Sequence, residues 1–336
     1  MATYLNYPFD PELFSYNWQN EKDLTLTNIL TSGAIVDSAD LKALISNGGD
    51  LFTLPFYKVI GGTPGNYDGA TDVPVADPQG GSQSGIVFGR TQGWKEKDFI
   101  VDYNSGADPM KQITSQVAKF WDKQRQSIII SILKGIFGVA AFADHKKDIG
   151  SSSTTVADAN KLSDTTIGDA TVDVFGDNAD CIALAIMHSR VAANLANKNL
   201  LNYWKYTDAQ GIERKLRIAD INGITVLIND NVPHTAATES AAATYTTYLL
   251  GMGALLHAVA PVEVPSEVER NAITGGGQNV LITRIREAYH PNGFTFTKPA
   301  GYTASPTNAM FEASANWSVA ASDDRNIAIM EIISNG

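Results

Sequence analysis

One cysteine in 336 residues excludes an intrachain disulfide, so no part of this chain can rest on an oxidised staple. Cys181 stands in the apolar run Cys181-Ile-Ala-Leu-Ala-Ile-Met187, where a thiol behaves as a small buried hydrophobe. Long apolar runs are lacking too. None reaches the ~18 residues that a membrane-spanning helix needs, and Met1-Ala-Thr-Tyr-Leu-Asn6 has neither the basic start nor the apolar stretch of a signal peptide. A folded, soluble chain that neither enters a membrane nor is secreted is expected. Positive charge is scarce: 25 basic residues face 36 acidic ones, and the formal charge of −11 opposes broad contact with phosphate backbones. Such a balance still permits a chain to enclose nucleic acid without gripping it.

The motifs of catalysis are missing as well. Gly275-Gly-Gly-Gln-Asn-Val280 lacks the last glycine of a dinucleotide fingerprint and precedes a predicted strand, and no segment has the Walker spacing with its lysine. Gly81-Ser-Gln-Ser-Gly85 has the outline of a nucleophile elbow, but Gln83 occupies the serine position, so the segment reads as a loop. His145, His188, His234, His257 and His290 are scattered, none with a second histidine or a cysteine at ligand spacing. The series Asp164, Asp169, Asp173, Asp177 and Asp180 lacks the glycine and closing glutamate of a calcium loop and reads as a solvated surface. No catalytic, cofactor-binding or metal-ligating residue is assigned, no cofactor is expected, and the chain is not expected to be an enzyme.

What is present is organised in blocks. Hydrophobic residues make up 44% of the chain, enough for a sizeable core and for two lobes. Residues 1–50 have no sustained period and read as an arm, with a short helix at Ala39–Ser46 before Asn47-Gly-Gly49. The stretch Leu51–Ile60 and the returning stretch Trp94–Tyr103 read as two long strands. Between them, residues 61–93 hold nine glycines and three prolines, too many breakers for a helix or a packed core, and read as a flexible tip. A two-stranded ribbon is marginal in water on its own, so a partner for it is expected in another subunit.

Asp108 as N-cap and Pro109 at the first helical position open the clearest element. Ile113, Val117, Phe120, Trp121, Ile128, Ile132, Ile136 and Phe137 follow at helical spacing, and Gly135 and Gly138 supply the stop. About 28 residues at 1.5 Å rise predict a rod of roughly 40 Å. A Ser, Thr and Asp-rich stretch at 150–170 and a second helix over 177–201 are expected next. Strands over 215–221 and 224–228 flank Asn222-Gly223, a type I′ hairpin signal, and further strands are predicted at 244–250, 279–289, 294–297 and 326–333. Helices and strands mix without a regular βαβ repeat, so the fold class is α+β.

The order of these blocks resembles the tailed-bacteriophage major capsid protein, the Hong Kong 97-like fold. So does the local wording: Ile113-Thr-Ser-Gln-Val-Ala-Lys-Phe-Trp121, Ile130-Ser-Ile-Leu-Lys-Gly-Ile-Phe137, Met187-His-Ser-Arg-Val191, Asn222-Gly-Ile-Thr-Val-Leu-Ile-Asn-Asp-Asn-Val-Pro233, Tyr245-Thr-Thr-Tyr-Leu-Leu-Gly251, His290-Pro-Asn-Gly293 and Asn326-Ile-Ala-Ile-Met330. The resemblance spans nearly the whole chain. It implies an N-terminal arm (1–50), an extended β-hairpin loop lying over a neighbouring subunit (51–106), a peripheral domain with a spine helix (107–149 and 286–336) and an axial domain (150–285). Tyr57, Lys58, Arg90, Trp94, Lys95, Glu96 and Lys97 are then the candidate intersubunit contacts. Some relatives cross-link through a lysine of the loop; Lys58, Lys95 and Lys97 are available, none is singled out, and no such bond is predicted.

The implied partner is the chain itself, as homo-pentamers and homo-hexamers of an icosahedral shell around double-stranded DNA. With about 50 residues ahead of the loop, a separate scaffolding protein is expected, together with a portal, and no membrane contact. The implied location is the virion, assembled in the host bacterial cytoplasm. Two alternatives stand beside it: an encapsulin-like bacterial compartment shell, and a phage-associated hydrolase or carbohydrate-binding protein with the glycine-rich segment as a lid.

Overall fold

The computed structural model describes residues 3–4, 7–8, 32–58, 60, 62–69, 72–75, 77, 80–97, 109–176, 181–207, 213–221, 223–321 and 324–336. Within the expected arm, β1 (Thr3–Tyr4) pairs with β2 (Tyr7–Pro8), and β3 (Ile35–Asp37) leads into α1 (Ala39–Ser46). Ser38 caps that helix by accepting the Leu41 N–H at 3.2 Å, the bond a serine N-cap is favoured for.

β4 (Leu51–Tyr57) pairs antiparallel with β5 (Gly80–Ile86), in a register running from Leu51 opposite Ile86 to Tyr57 opposite Gly80. After Val87 the chain continues as β6 (Phe88–Lys97). The expected hairpin is thus present, but its return begins at Gly80 and not at Trp94, and the tip is shorter than 61–93. Glycine did not break the strand here because the aromatic rings of β4 lie over it: a Cβ on Gly81 would come within 2.6 Å of Phe56 Cζ, and one on Gly85 within 2.3 Å of Phe52 Cζ. Residues 98–103 of the expected return lie outside the described residues.

The predicted rod is α2 (Pro109–Phe137), 29 residues or roughly 43 Å. Asp108, expected as its cap, lies outside the described residues, as does the side chain of Ile113. Gly135 does not stop the helix. It lies inside it, where a Cβ would meet the Phe311 carbonyl oxygen at 2.0 Å, and the helix ends two residues later, ahead of Gly138.

β7 (Lys146–Asp148) follows a short 3-10 turn, and α3 (Asp164–Phe175) begins at Ser163, whose side chain accepts the Thr166 N–H at 3.2 Å. The expected single helix over 177–201 is instead β8 (Ile182–Met187) followed by α4 (Ser189–Asn197). β8 lies between two helical layers and is apolar on both faces, so it carries none of the alternation that marks a half-exposed strand. Of the aspartate series, Asp164, Asp169 and Asp173 ride on α3, while Asp177 and Asp180 lie outside the described residues.

Then come β9 (Asn202–Thr207), β10 (Glu213–Ile221), β11 (Ile224–Ile228), β12 (His234–Thr235), β13 (Thr244–Gly251), β14 (Leu255–Val259), β15 (Ser266–Asn271), β16 (Gln278–Pro291), β17 (Phe294–Phe296), α5 (Asn308–Glu312), β18 (Trp317–Val319) and β19 (Ile329–Asn335). The larger sheet runs β7-β19-β13-β8-β11-β10-β9, with β12 also on β13. The smaller runs β15-β16-β14-β3, with β6 along the other edge of β16. Parallel and antiparallel pairs mix in both, which is the α+β class.

Helix α2 joins the two sheets. Val117, Ala118 and Trp121 of its first half pack on Leu281 and Ile285 of the smaller sheet. Ile128, Ile132, Leu133 and Ile136 of its second half pack with Leu184, Ile186 and Leu250 of the larger one. Each of the valine, leucine and isoleucine side chains among them contributes about 1.5–3 kcal/mol by leaving water. The opposite face of the larger sheet, through Ala185, Met187, Leu249 and Met330, packs on α3 and α4. The closing segment 286–336 is divided between the lobes. β17, β18 and α5 surround the end of α2, whereas β19 lies inside the larger sheet between β7 and β13.

Candidate assembly interface

Burial falls steadily along the ribbon. At its root Phe52 is buried with Leu41 and Ile45 of α1 and Ala288 of β16, and Ile86 is buried too. Leu54 and Phe56 are half-buried, and Tyr57 is 91% exposed. Beyond it Ile60, Tyr67, Val73 and Val75 are 76%, 99%, 79% and 89% exposed. Polar bonds fix the root. Lys298 Nζ lies 2.6 Å from Asp50 Oδ2 and holds that carboxyl below its ordinary range, and the Arg286 guanidinium donates to the Gly49 carbonyl.

The seven residues expected at the subunit boundary divide into groups. Tyr57 and Lys58 stand where the ribbon passes into the tip, Tyr57 exposed and Lys58 half-buried. Arg90 turns inward: its guanidinium donates to the Gly89 carbonyl (2.9 Å), Ser305 Oγ (3.1 Å) and Asn308 Oδ1 (3.0 Å) and lies over the Phe88 ring. Trp94 is half-buried and edge-on to Phe120 of α2 at 5.4 Å, while Lys95 is exposed. Glu96 and Lys97 extend the backbone ladder opposite Asn279 and Gln278.

Beneath the root lies a cluster that sequence reasoning missed. Arg125 of α2 donates to Asp122 Oδ1 (2.9 Å) and, through two nitrogens, to Glu287 of β16 (2.6–3.1 Å). His257 of β14 lies 3.8 Å from Glu287, stacks on Tyr289 at 4.6 Å, and meets Asp37 Oδ1 of β3 at 2.5 Å. Burial alone would raise the Glu287 carboxyl, but His257 and Arg125 outweigh it and hold the pKa down to about 2. Burial likewise works against the His257 imidazolium, and Glu287 and Asp37 overcome it, so its pKa is raised. Charges so paired bind four elements together, α2 and the strands β3, β14 and β16 of the smaller sheet. No local motif could have announced them, since 37, 122, 257 and 287 are far apart in the chain. His290 differs: it is buried against Phe52, and desolvation pushes it down to about 4. Among the described residues no group of three or more His, Cys, Asp or Glu side chains is placed to hold a metal ion, and no helix is long and apolar enough to cross a membrane.

Comparison with known proteins follows the same architecture. The family model for the major capsid protein 13-like family matches residues 111–328. The major capsid protein of Bacillus phage SPP1 is 29% identical over 309 residues, covering 91% of this chain and 90% of that protein. The capsid of Ralstonia phage GP4 superimposes with a TM-score of 0.58 at 10% identity, over 91% of this chain and 88% of that one. The cyanophage Pam1 capsid does so with 0.56 at 10% identity, over 94% of each. At such identities the structural likeness is one of fold, and the fold is the Hong Kong 97-like fold of tailed-phage capsids. Matched by the family model over most of its length, the chain belongs to the major capsid protein 13-like family.

Proposed function

We propose that this chain is the repeating subunit of a tailed-bacteriophage head, assembling as pentamers and hexamers into a closed icosahedral shell around double-stranded DNA. The observation that carries the reading is the ribbon: a root fixed by intrachain bonds and a tip whose Tyr57, Ile60, Tyr67, Val73 and Val75 find no burial within the chain. Apolar side chains grouped this way mark a protein-protein contact, and a shell of identical copies supplies one to every subunit. Lys58, Lys95, Glu96 and Lys97 border that contact; Arg90 and Trp94 support it from within by holding β6 on the body. In this reading residues 109–137 and the smaller sheet form the peripheral lobe, and α3, α4 and the larger sheet form the axial lobe that meets its copies around the symmetry axes. The net charge of −11 suits a wall that contains DNA without adhering to it. A separate scaffolding protein and a portal complete the assembly in the host cytoplasm, and the subunit works without catalysis.

The test is electron microscopy of the purified full chain beside a variant in which residues 59–78 are replaced by a two-residue Asn-Gly turn, which closes the ribbon between Lys58 and Gln79. The full chain should give capsomers or closed shells, and the variant should keep its circular dichroism while shells are lost. A chain that stays monomeric at every concentration would overturn the proposal. Native particles should contain double-stranded DNA; particles filled with a single enzyme would identify a compartment shell instead.

A further inference from the structure

A buried side chain ties the return strand of the ribbon to the body. Gln83 lies on β5 halfway along the hairpin and is only 6% exposed, an unusual place for a primary amide. Its Nε2 donates to Asn292 Oδ1 at 3.1 Å, and its Oε1 accepts the Gly293 N–H at 2.7 Å. The amide thus spans the turn between β16 and β17 with both of its ends. That turn is itself fixed. The Asn292 N–H donates to the Ala254 carbonyl (3.0 Å), and the Gly293 carbonyl accepts from Ala320 (2.8 Å) and Ala321 (3.2 Å). The next residue of β5 adds a further bond, Ser84 N–H to Thr295 Oγ1 at 3.4 Å. On either side of Gln83, Gly81 and Gly85 let Phe56 and Phe52 lie directly over the strand, and a Cβ on Gly85 would also meet His290 Nδ1 at 2.6 Å.

We propose that Gln83 is a positioning residue for assembly: its two-ended amide clamp on the Asn292-Gly293 turn fixes the direction in which the ribbon leaves the subunit, so that the tip arrives at the neighbouring copy in one orientation. This rests on the reading that the tip covers a neighbour. A two-stranded ribbon held only by its own ladder is free to swing about its root. With Gln83 in place the swing is stopped halfway along, at a point bonded to a turn that is itself hydrogen-bonded to the body. A buried amide satisfied at both ends is stiff as well as stabilising, because any rotation of the ribbon breaks both bonds and strands buried polar groups.

The experiment measures direction and assembly separately on the full chain. With Cys181→Ser as background, spin labels at Asn66→Cys in the tip and Lys123→Cys on the exposed face of α2 report the tip-to-body distance by pulsed electron resonance, and assembly is followed on the unlabelled chain. Gln83→Met keeps the length and bulk of the side chain and removes both hydrogen bonds; Asn292→Ala removes one from the other side. Each should roughly double the width of the distance distribution while circular dichroism is unchanged, and shell formation followed by light scattering should slow about tenfold, as expected when docking geometry is loosened. The double variant should be no worse than Gln83→Met alone, because the two residues act as one unit. An unchanged distance distribution overturns the clamp, whatever assembly does. A broadened distribution with normal assembly overturns its role in positioning, and loss of folding in both single variants would make Gln83 a folding residue and overturn it as well. The tip-replacement variant fails or succeeds independently, so the clamp and the neighbour-covering tip can be lost one without the other.

Discussion

Helix α2 and the β4–β5 ribbon are two elongated elements of this subunit, and they dispose of their apolar side chains in opposite ways. The helix closes a stripe from Val117 to Ile136 against two sheets of its own chain, and Ile132, Leu133 and Ile136 have no exposure at all. The ribbon buries Phe52 and Ile86 at its root and then leaves Tyr57, Ile60, Tyr67, Val73 and Val75 in solvent. Sequence hydrophobicity alone does not separate these cases. The difference lies in what surrounds each element, and in the proposed assembly it divides the chain into a part that serves folding and a part that serves contact between subunits.

The largest effect should come from the charges that tie the helix to the smaller sheet. Glu287→Ala leaves Arg125 and His257 without their shared counter-ion and should cost about 3–5 kcal/mol, read from urea unfolding of the subunit. A loss below about 1 kcal/mol, the size of a surface pair, would show that apolar burial alone fastens the helix and would narrow the contrast with the ribbon.

Acid should weaken the ribbon's root next. His290 is neutral in the fold with a pKa of about 4, against an ordinary 6.5, so between these values the unfolded chain binds the extra proton and the folded chain does not. Stability therefore falls as pH drops from 6.5 toward 4, by about 1.4 kcal/mol per pH unit and roughly 3 kcal/mol in all. His257 has the opposite sign. Its pKa is raised, so its contribution is complete below 6.5 and is lost as pH rises through the higher folded value. Unfolding free energies across this range should show the acid slope flattened in His290→Gln; an unchanged slope would remove the root from the account of acid sensitivity.

Gly135→Ala should follow. Alanine favours a helix over glycine by about 1 kcal/mol, yet its methyl would meet the Phe311 carbonyl oxygen and the Trp317 indole nitrogen, at 2.0 and 2.7 Å from the ideal Cβ position. Overpacking should win, with a net loss of about 1–3 kcal/mol in thermal or urea unfolding. A stabilised variant would mean that α5 can withdraw from the helix and that the body is less tightly closed than its burial indicates.

How much of this was legible follows from the same contrast. The rod was readable because its core-facing residues repeat at three and four over eight turns, and the hairpin at 222–223 because Asn-Gly demands one turn type. β8 read as helix because Ile182–Met187 is covered on both faces and alternates with nothing. Gly81 and Gly85 read as loop because their function, room for Phe56 and Phe52, belongs to the opposite strand. Gln83 was noticed only as the wrong residue for a nucleophile, and the Arg125, Glu287 and His257 cluster was invisible, since its members meet only after both sheets have formed. A partner in another subunit was expected from the marginal stability of a two-stranded ribbon, and the family resemblance implied that this subunit is an identical copy.

The smallest expected effect on the isolated subunit is the sharpest test of the division. Tyr67→Ser and Val75→Ser remove large apolar groups, and in a core each would cost several kcal/mol. Here both side chains are almost fully exposed, so each change should move subunit stability by no more than about 0.5 kcal/mol. The same pair should raise the concentration needed for shell formation, because burial that the monomer never had is what the assembled state loses. Measured side by side, unchanged urea midpoints with impaired assembly place the tip in the contact part of the chain. A destabilised monomer would instead mean that the tip folds back on its own body in solution, and that it must be released before it can reach a neighbour.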